Sequence, residues 1–261
     1  MSFALASGAR PAASAGDAAH EAEVVITMLP DSKVVEAALT ALLPSLAPGA
    51  LVVEMSSASP SHTVRLADVV AEAGGSLIDA PVSGGVSRAE TGELSIMVGG
   101  ADADIARAEP LLRAMGTTIT RTGGVGSAHA MKALNNLVSA GGFLIGIEAL
   151  LIGKRFGLDP ALMVDVLNAS TGMSNSSQKK FKQFVLSRRF DSGFGLDLMV
   201  KDVSIALDLG KETKTATPFS ALLRDLSAAA QAMLGPGHDH TEFAKLAETF
   251  AGDELGPPST D

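Results

Sequence analysis

The feature that most constrains this chain is a change of rhythm near residue 124. Before it, short β-branched runs alternate with stretches of helical spacing; after it the strand pattern stops. Residues 24–29 (VVITML) form a continuous apolar run, as in a strand covered on both faces. Residues 51–55 (LVVEM), 76–79 (SLID), 94–98 (LSIMV) and 119–122 are further strand candidates. Between them, Val34, Val35, Ala38, Leu39 and Leu42 recur at helical spacing over residues 31–43. Ser59 before Pro60 opens a second helix that ends near Gly74 and Gly75, and residues 102–115 form a third. Strands alternating with helices of this length predict a parallel, doubly wound α/β sheet. Beyond residue 127 only helices are expected, with starts at Asp159-Pro160 and Thr217-Pro218 and a polar break over residues 168–177. The expected division is therefore a sheet domain at 1–123 and an all-helical domain at 124–261. The tail GPPSTD reads as frayed.

Composition narrows the function. A 46% apolar content with 19% charged residues supports a sizeable core. The net charge of −9 argues against a nucleic-acid surface. The absence of cysteine excludes disulfides and thiolate metal sites. Residues 1–15 hold one Arg and no apolar run, unlike a secretory signal, and a cytoplasmic protein is expected. Residues 133–153 reach bilayer length, and Gly142 and Gly146 form a small-residue pair. Asn135, Asn136, Ser139 and Glu148 interrupt that stretch, so it reads as a helix buried in a soluble protein with no membrane partner.

Three local patterns carry chemistry. In DAPVSGG, Ser83 offers a hydroxyl, and Gly84 and Gly85 let backbone N–H groups approach an anion such as a carboxylate; taken alone, the segment reads first as an ordinary turn. In GGVGSAHAMKALNN, glycines open a long helix, and Lys132 and Asn136, four residues apart, share a face. The positive helix end and burial in a cleft would lower the Lys132 pKa, which suits proton exchange with a substrate oxygen; a surface lysine is the alternative. In FGLDLMVKD, running from Phe194, Lys201 and Asp202 close an amphipathic stretch and in isolation read as a solvated charge pair. Gly124-Val125-Gly126 is not read as a dinucleotide turn, because Glu148, the acid about 20 residues on, falls inside a helix.

Together these patterns resemble the 3-hydroxyisobutyrate dehydrogenase family of β-hydroxyacid dehydrogenases, from about Gly8 to about residue 250. The resemblance implies a Rossmann-like domain, a helical domain that builds a homodimer or homotetramer, NAD or NADP as cofactor, and hydride transfer to or from a small 3-hydroxyacid or its semialdehyde. It implies that Ser83, Gly84 and Gly85 hold the substrate carboxylate, that Lys132 is the catalytic lysine, and that Asn136 holds the substrate beside it. It assigns Leu29 and Pro30 of the MLP turn, Ser57 of EMSSASP, Phe194 and Lys201 to the cofactor, with Asp202 positioning the neighbouring lysines. A 6-phosphogluconate dehydrogenase would show His at position 135, where Asn stands, and an imine reductase would replace Lys132.

Members of the family begin with a strand, a glycine-rich turn, a helix and a second strand, and the sequence before GARPAAS contains no such segment. A truncated sheet is therefore expected, with residues 24–29 as an unpaired apolar edge. The competing expectation is a catalytically impaired remnant that retains a dimeric helical domain. His238-Asp239-His240 reads as a plain connection and no metal is expected. His20, His62 and His129 show no acid partner pattern, and Lys179, Lys180 and Lys182 read as a solvated helix face.

Overall fold

The apolar runs of the first half form strands whose carboxyl ends collect the candidate loops. The computed structural model describes residues 8–256. All of the GPPSTD tail except Gly256 lies outside the described residues. The chain divides into two compact units, Met1–Lys132 and Ala133–Asp261.

In the first unit, β1 (Val24–Thr27), β2 (Leu51–Glu54), β3 (Ser76–Asp79), β4 (Val82–Ser83), β5 (Leu94–Gly99) and β6 (Gly116–Gly123) form one sheet. β1, β2 and β3 pair in parallel, with Val25 opposite Val52 and Val52 opposite Leu77. β5 runs antiparallel to β3 and β4 and parallel to β6. The reversal comes from β4 and a short helix, α4 (Gly85–Glu90), which the sequence reading left as a loop. Elements this short carry no readable period.

The other helices of this unit are α1 (Ala15–Ala19), α2 (Ser32–Leu42), α3 (Pro60–Glu72) and α5 (Asp102–Met115). Asp31 caps α2, its side chain accepting from the Lys33 and Val34 amides. Ser59 stands at the N-cap of α3 with Pro60 behind it, but its hydroxyl meets Ser61 Oγ at 3.1 Å instead of a helix amide. Alternate residues of β2 enter different cores. Leu51 and Val53 pack with Ile78, Ile96 and Leu112, while Val52 packs with Val35, Leu39 and Val70. Both faces of the sheet are thus covered, which is why the strand sequences read as unbroken apolar runs. Among the described residues β1 pairs with β2 alone and ends the strand order.

The long helix α6 (Ser127–Phe156) is followed by α7 (Pro160–Asn168), α8 (Asn175–Lys179), a π-helical turn (Phe181–Leu186), α9 (Leu196–Glu212), α10 (Pro218–Leu234) and α11 (Ala244–Ala251). Asp159 caps α7 through the Ala161 amide. Phe143, Ile147, Leu150, Phe181, Val203 and Phe243 centre the core of the second unit. By length and composition α6 is apolar enough to cross a membrane. Its Ala140, Phe143, Ile147 and Leu150, however, are buried against protein. Gly146 serves the same core, because a Cβ there would come within 2.4 Å of Phe181 Cζ. The Phe181 ring therefore lies on bare helix backbone.

Candidate active site

Leu29 and Pro30 follow β1, and Ser57 follows β2, at the carboxyl ends of neighbouring parallel strands. Nucleotides bind doubly wound sheets at such ends. The two loops are tied together: the Leu29 amide donates to Ser56 Oγ at 2.8 Å, and the Ser59 amide to Ser32 Oγ at 2.9 Å. Asp31 Oδ1 is turned onto its own helix amides. An apolar turn beside a hydroxyl, with the nearby carboxylate engaged elsewhere, suits the nicotinamide–ribose end of a dinucleotide.

Ser83 ends β4, and the two glycines after it hold positive φ, +138° at Gly84 and +69° at Gly85. A Cβ at Gly84 would also come 2.8 Å from Arg88 Cδ. This turn therefore requires glycine, and both glycines are exposed.

The glycine turn after β6 leads straight into α6, as a dinucleotide turn would. Its anion site is already filled. Asp79, fully buried at the end of β3, accepts from the Gly126 amide through Oδ1 and from the His129 amide through Oδ2, each at 2.8 Å. A side-chain carboxylate thus takes the place a phosphate occupies at other helix N-termini. Burial pushes the Asp79 pKa up, against the pull of His129 and those amides.

His129 has acid partners, contrary to the sequence expectation. Its Nε2 lies 2.9 Å from Glu54 Oε2 and 3.0 Å from the Ser56 carbonyl oxygen, and Nδ1 lies 2.8 Å from Thr63 Oγ1. Both Nε2 neighbours are acceptors, so Nε2 carries a proton. That proton is aligned on the Ser56 carbonyl, with Glu54 Oε2 beside it. Burial acts to raise the Glu54 pKa, but His129 and the Ser56 donors outweigh it and hold the carboxyl below its usual range. His62 also has a partner, Glu36 Oε2 at 3.3 Å. These acids are distant in sequence, so no local pattern announced them.

Lys132 and Asn136 are both buried, one turn apart on α6. Asn136 Nδ2 donates to Asp202 Oδ2 at 2.5 Å, and Asp202 Oδ1 lies 3.6 Å from Lys201 Nζ. Asp202 is only 2% exposed, so the Lys201–Asp202 pair is not the solvated one that isolated reading suggested. One carboxylate on α9 thus gathers Asn136 and Lys201. Phe194 precedes α9 and meets the His240 ring edge-on, with centroids 5.6 Å apart. Asp239 is a capping residue, accepting from Thr241 and from the Gly193 and Phe194 amides. Burial, then the charge of Lys180, push the His240 pKa down to about 4.

The lysine run is not a uniform solvated face. Lys182 pairs with Asp165 at the surface, but Lys180 turns inward and donates to Ser139 Oγ at 3.3 Å. Lys180 stands directly before the π-helical turn, whose wider winding no residue spacing revealed.

A doubly wound sheet, with a buried lysine at the start of the long helix that leads out of it, suits a dinucleotide-dependent oxidoreductase. Residues 1–124 match the family model described as the NAD binding domain of 6-phosphogluconate dehydrogenase. Residues 126–247 match that of the NAD-binding region of NADP-dependent 3-hydroxyisobutyrate dehydrogenase. The 3-hydroxyisobutyrate dehydrogenase of Pseudomonas aeruginosa is 35% identical, over 95% of this chain and 86% of the relative. The 2-(hydroxymethyl)glutarate dehydrogenase of Eubacterium barkeri is 34% identical, over 95% and 83%. The structure of the Mycobacterium tuberculosis 3-hydroxyisobutyrate dehydrogenase with L-serine aligns with a TM-score of 0.84 at 30% identity, over 95% of this chain and 86% of that one. The chain belongs to the 3-hydroxyisobutyrate dehydrogenase family, NAD- or NADP-dependent oxidoreductases of small hydroxyacids.

Proposed function

We propose that this chain interconverts a 3-hydroxyacid of the form HOCH2–CHR–COOH and its semialdehyde, with Lys132 moving the proton. The observation that carries this reading is the pair of buried residues at the start of α6, Lys132 and Asn136, the latter anchored by Asp202. The molecules named for the three relatives support the substrate form. 3-Hydroxyisobutyrate, 2-(hydroxymethyl)glutarate and L-serine share the HOCH2–CH–COOH unit and differ at the C2 substituent.

The Ser83 hydroxyl and the Gly84 and Gly85 amides bind the C1 carboxylate. Asn136 holds the substrate beside Lys132, and the Lys132 amine takes the hydroxyl proton during oxidation and returns it during reduction. NAD or NADP, when bound, would supply the hydride acceptor or donor for C3. The family resemblance assigns Leu29, Pro30, Ser57, Phe194 and Lys201 to the cofactor, while Asp202 fixes Asn136 and Lys201. Nicotinamide absorbance with each of the three acids tests the reaction directly. Lys132→Ala should cut turnover by about 10²- to 10⁴-fold while keeping the thermal stabilisation given by the cofactor. Turnover surviving that change would remove Lys132 from its role.

The working form is a homodimer or a tetramer built from it. Val138, Ile145 and Ile152 stand exposed along α6, and Phe219 and Leu222 are exposed on α10. Ile145, Phe219 and Leu222 border an apolar groove of about 270 Å³. A contiguous apolar patch of this kind marks an interface, and the resemblance that assigns dimer-building to the helical domain identifies a second copy as its cover.

A further inference from the structure

Lys180 and its surroundings have no part in the chemistry above. The side chain is half-buried, yet its Nζ has a hydroxyl, Ser139 Oγ, as its hydrogen-bond partner and no carboxylate within salt-bridge distance among the described residues. A cation drawn out of water without a counter-ion is costly. Burial accordingly pushes the Lys180 pKa below the usual lysine range, with Asp239 pulling the other way. Asp239 is the acid that acts on it, and its oxygens are already engaged. Oδ1 accepts from Ser192 Oγ, the Thr241 amide and Thr241 Oγ1, and Oδ2 from the Gly193 and Phe194 amides. The neighbouring His240 ring adds no negative charge. Its Nδ1 faces the Phe194 carbonyl at 3.1 Å, while Nε2, buried, has no hydrogen-bond partner among the described residues. The Lys180 ammonium thus has a hydroxyl but no carboxylate counter-ion, and the buried His240 Nε2 has no hydrogen-bond partner among the described residues.

The position of this cluster gives it meaning. Lys132, Asn136 and Ser139 fall within about 60° of one another around α6, on one face. Ser139 is three residues beyond Asn136, about 4.5 Å along the axis, and its side chain leans back towards the Asn136 turn. Lys180, bonded to Ser139, therefore meets α6 about one turn beyond Asn136, on the side away from Lys132.

We propose that Lys180 and Ser139, backed by His240, form a second anion subsite, and that this chain prefers 3-hydroxyacids whose C2 substituent ends in a carboxylate. The inference rests on the substrate placement at Asn136 given above. The C2 arm extends along α6, its carboxylate accepts from the Lys180 ammonium and the Ser139 hydroxyl, and the cation gains the counter-ion that the fold withholds.

Binding and turnover separate this proposal from the reading beneath it. Glutarate and pentanoate, a diacid and monoacid of equal carbon count, are titrated calorimetrically into the whole protein at matched ionic strength. Glutarate should bind at least about tenfold more tightly, Lys180→Gln should abolish the preference, and Lys180→Arg should retain most of it. Equal binding of the two acids, or a preference that persists in Lys180→Gln, overturns the subsite. In turnover, the ratio of kcat/KM for 2-(hydroxymethyl)glutarate to that for 3-hydroxyisobutyrate should fall at least about tenfold in Lys180→Gln; an unchanged ratio overturns the specificity claim. A Lys180-dependent glutarate preference in a protein that oxidises neither hydroxyacid would sustain the subsite and sink the dehydrogenase reading.

Discussion

Glu54 and His129 make a buried ionic contact whose strength can be worked from the geometry. Replacing His129 with Leu leaves the Glu54 carboxylate fully buried with the Ser56 amide and hydroxyl and the Thr27 hydroxyl, 3.4 Å away, as donors. An uncompensated buried carboxylate either stays charged or takes a proton, so the cost of protonation sets a ceiling. From the ordinary glutamate value of 4.5 to pH 7 is 2.5 units, or about 3.4 kcal/mol at 1.36 kcal/mol per unit. The double variant Glu54→Gln/His129→Leu has no such carboxylate. The gap in unfolding free energy between it and His129→Leu isolates Glu54, and Asp79, raised by burial, titrates in both and cancels.

The sign differs between the native protein and the variant. In the native protein the Glu54 pKa is depressed, so its contribution is present above the unfolded value and is lost as pH falls through the folded one. In His129→Leu the folded pKa is raised, so the penalty appears as pH rises above about 4.5. The gap should approach about 3 kcal/mol at pH 7 and shrink to about 0.7 kcal/mol at pH 5. Urea unfolding of both variants at pH 5, 6 and 7 measures it, and the pH 7 midpoints in heat should differ by about 6–12 °C. A gap below about 1 kcal/mol at pH 7, or one that does not change with pH, refutes the reasoning.

Two further outcomes follow from the same packing. Asp202→Asn weakens a charge-assisted hydrogen bond to Asn136 and removes the charge facing Lys201; kcat/KM should drop by about 10- to 100-fold while circular dichroism stays native, and an unaltered kcat/KM would show that Asn136 is held by other means. Phe219→Asp puts a charge on the exposed apolar groove of the helical unit and should shift the protein to monomer in analytical ultracentrifugation, whereas an unchanged sedimentation coefficient moves the interface elsewhere.

The strands were legible because both sheet faces are covered. Leu51–Glu54 is buried at every position, and such a strand writes itself as a continuous apolar run. The helical half was legible for the complementary reason: apolar spacing with Pro starts at Pro160 and Pro218. β4 and α4 were not, because two and six residues hold too little pattern. Lys132, Asn136, Lys201 and Asp202 are singled out by the family resemblance, their local spacing alone being weak, and the structure joins the last three through Asp202. What stayed hidden depends on contacts between distant segments. His129 meets acids at the ends of β2 and β3, and Lys180 meets Ser139, 41 residues away in sequence. The misplaced acid Glu148 is the sequence sign that residues 124–126 are no dinucleotide turn. The physical cause is a different acid, Asp79, already seated on those amides.

The bare backbone at Gly146 also gives substrate preference a remote handle. Phe181 rests where a side chain would project, and Phe181 is the next residue after Lys180. A single methyl group added at position 146 would displace the ring and, with it, the root of the adjoining ammonium. Selection acting on one small, uncharged site in the middle of a helix would thus retune which acids are accepted, leaving every charged residue in place.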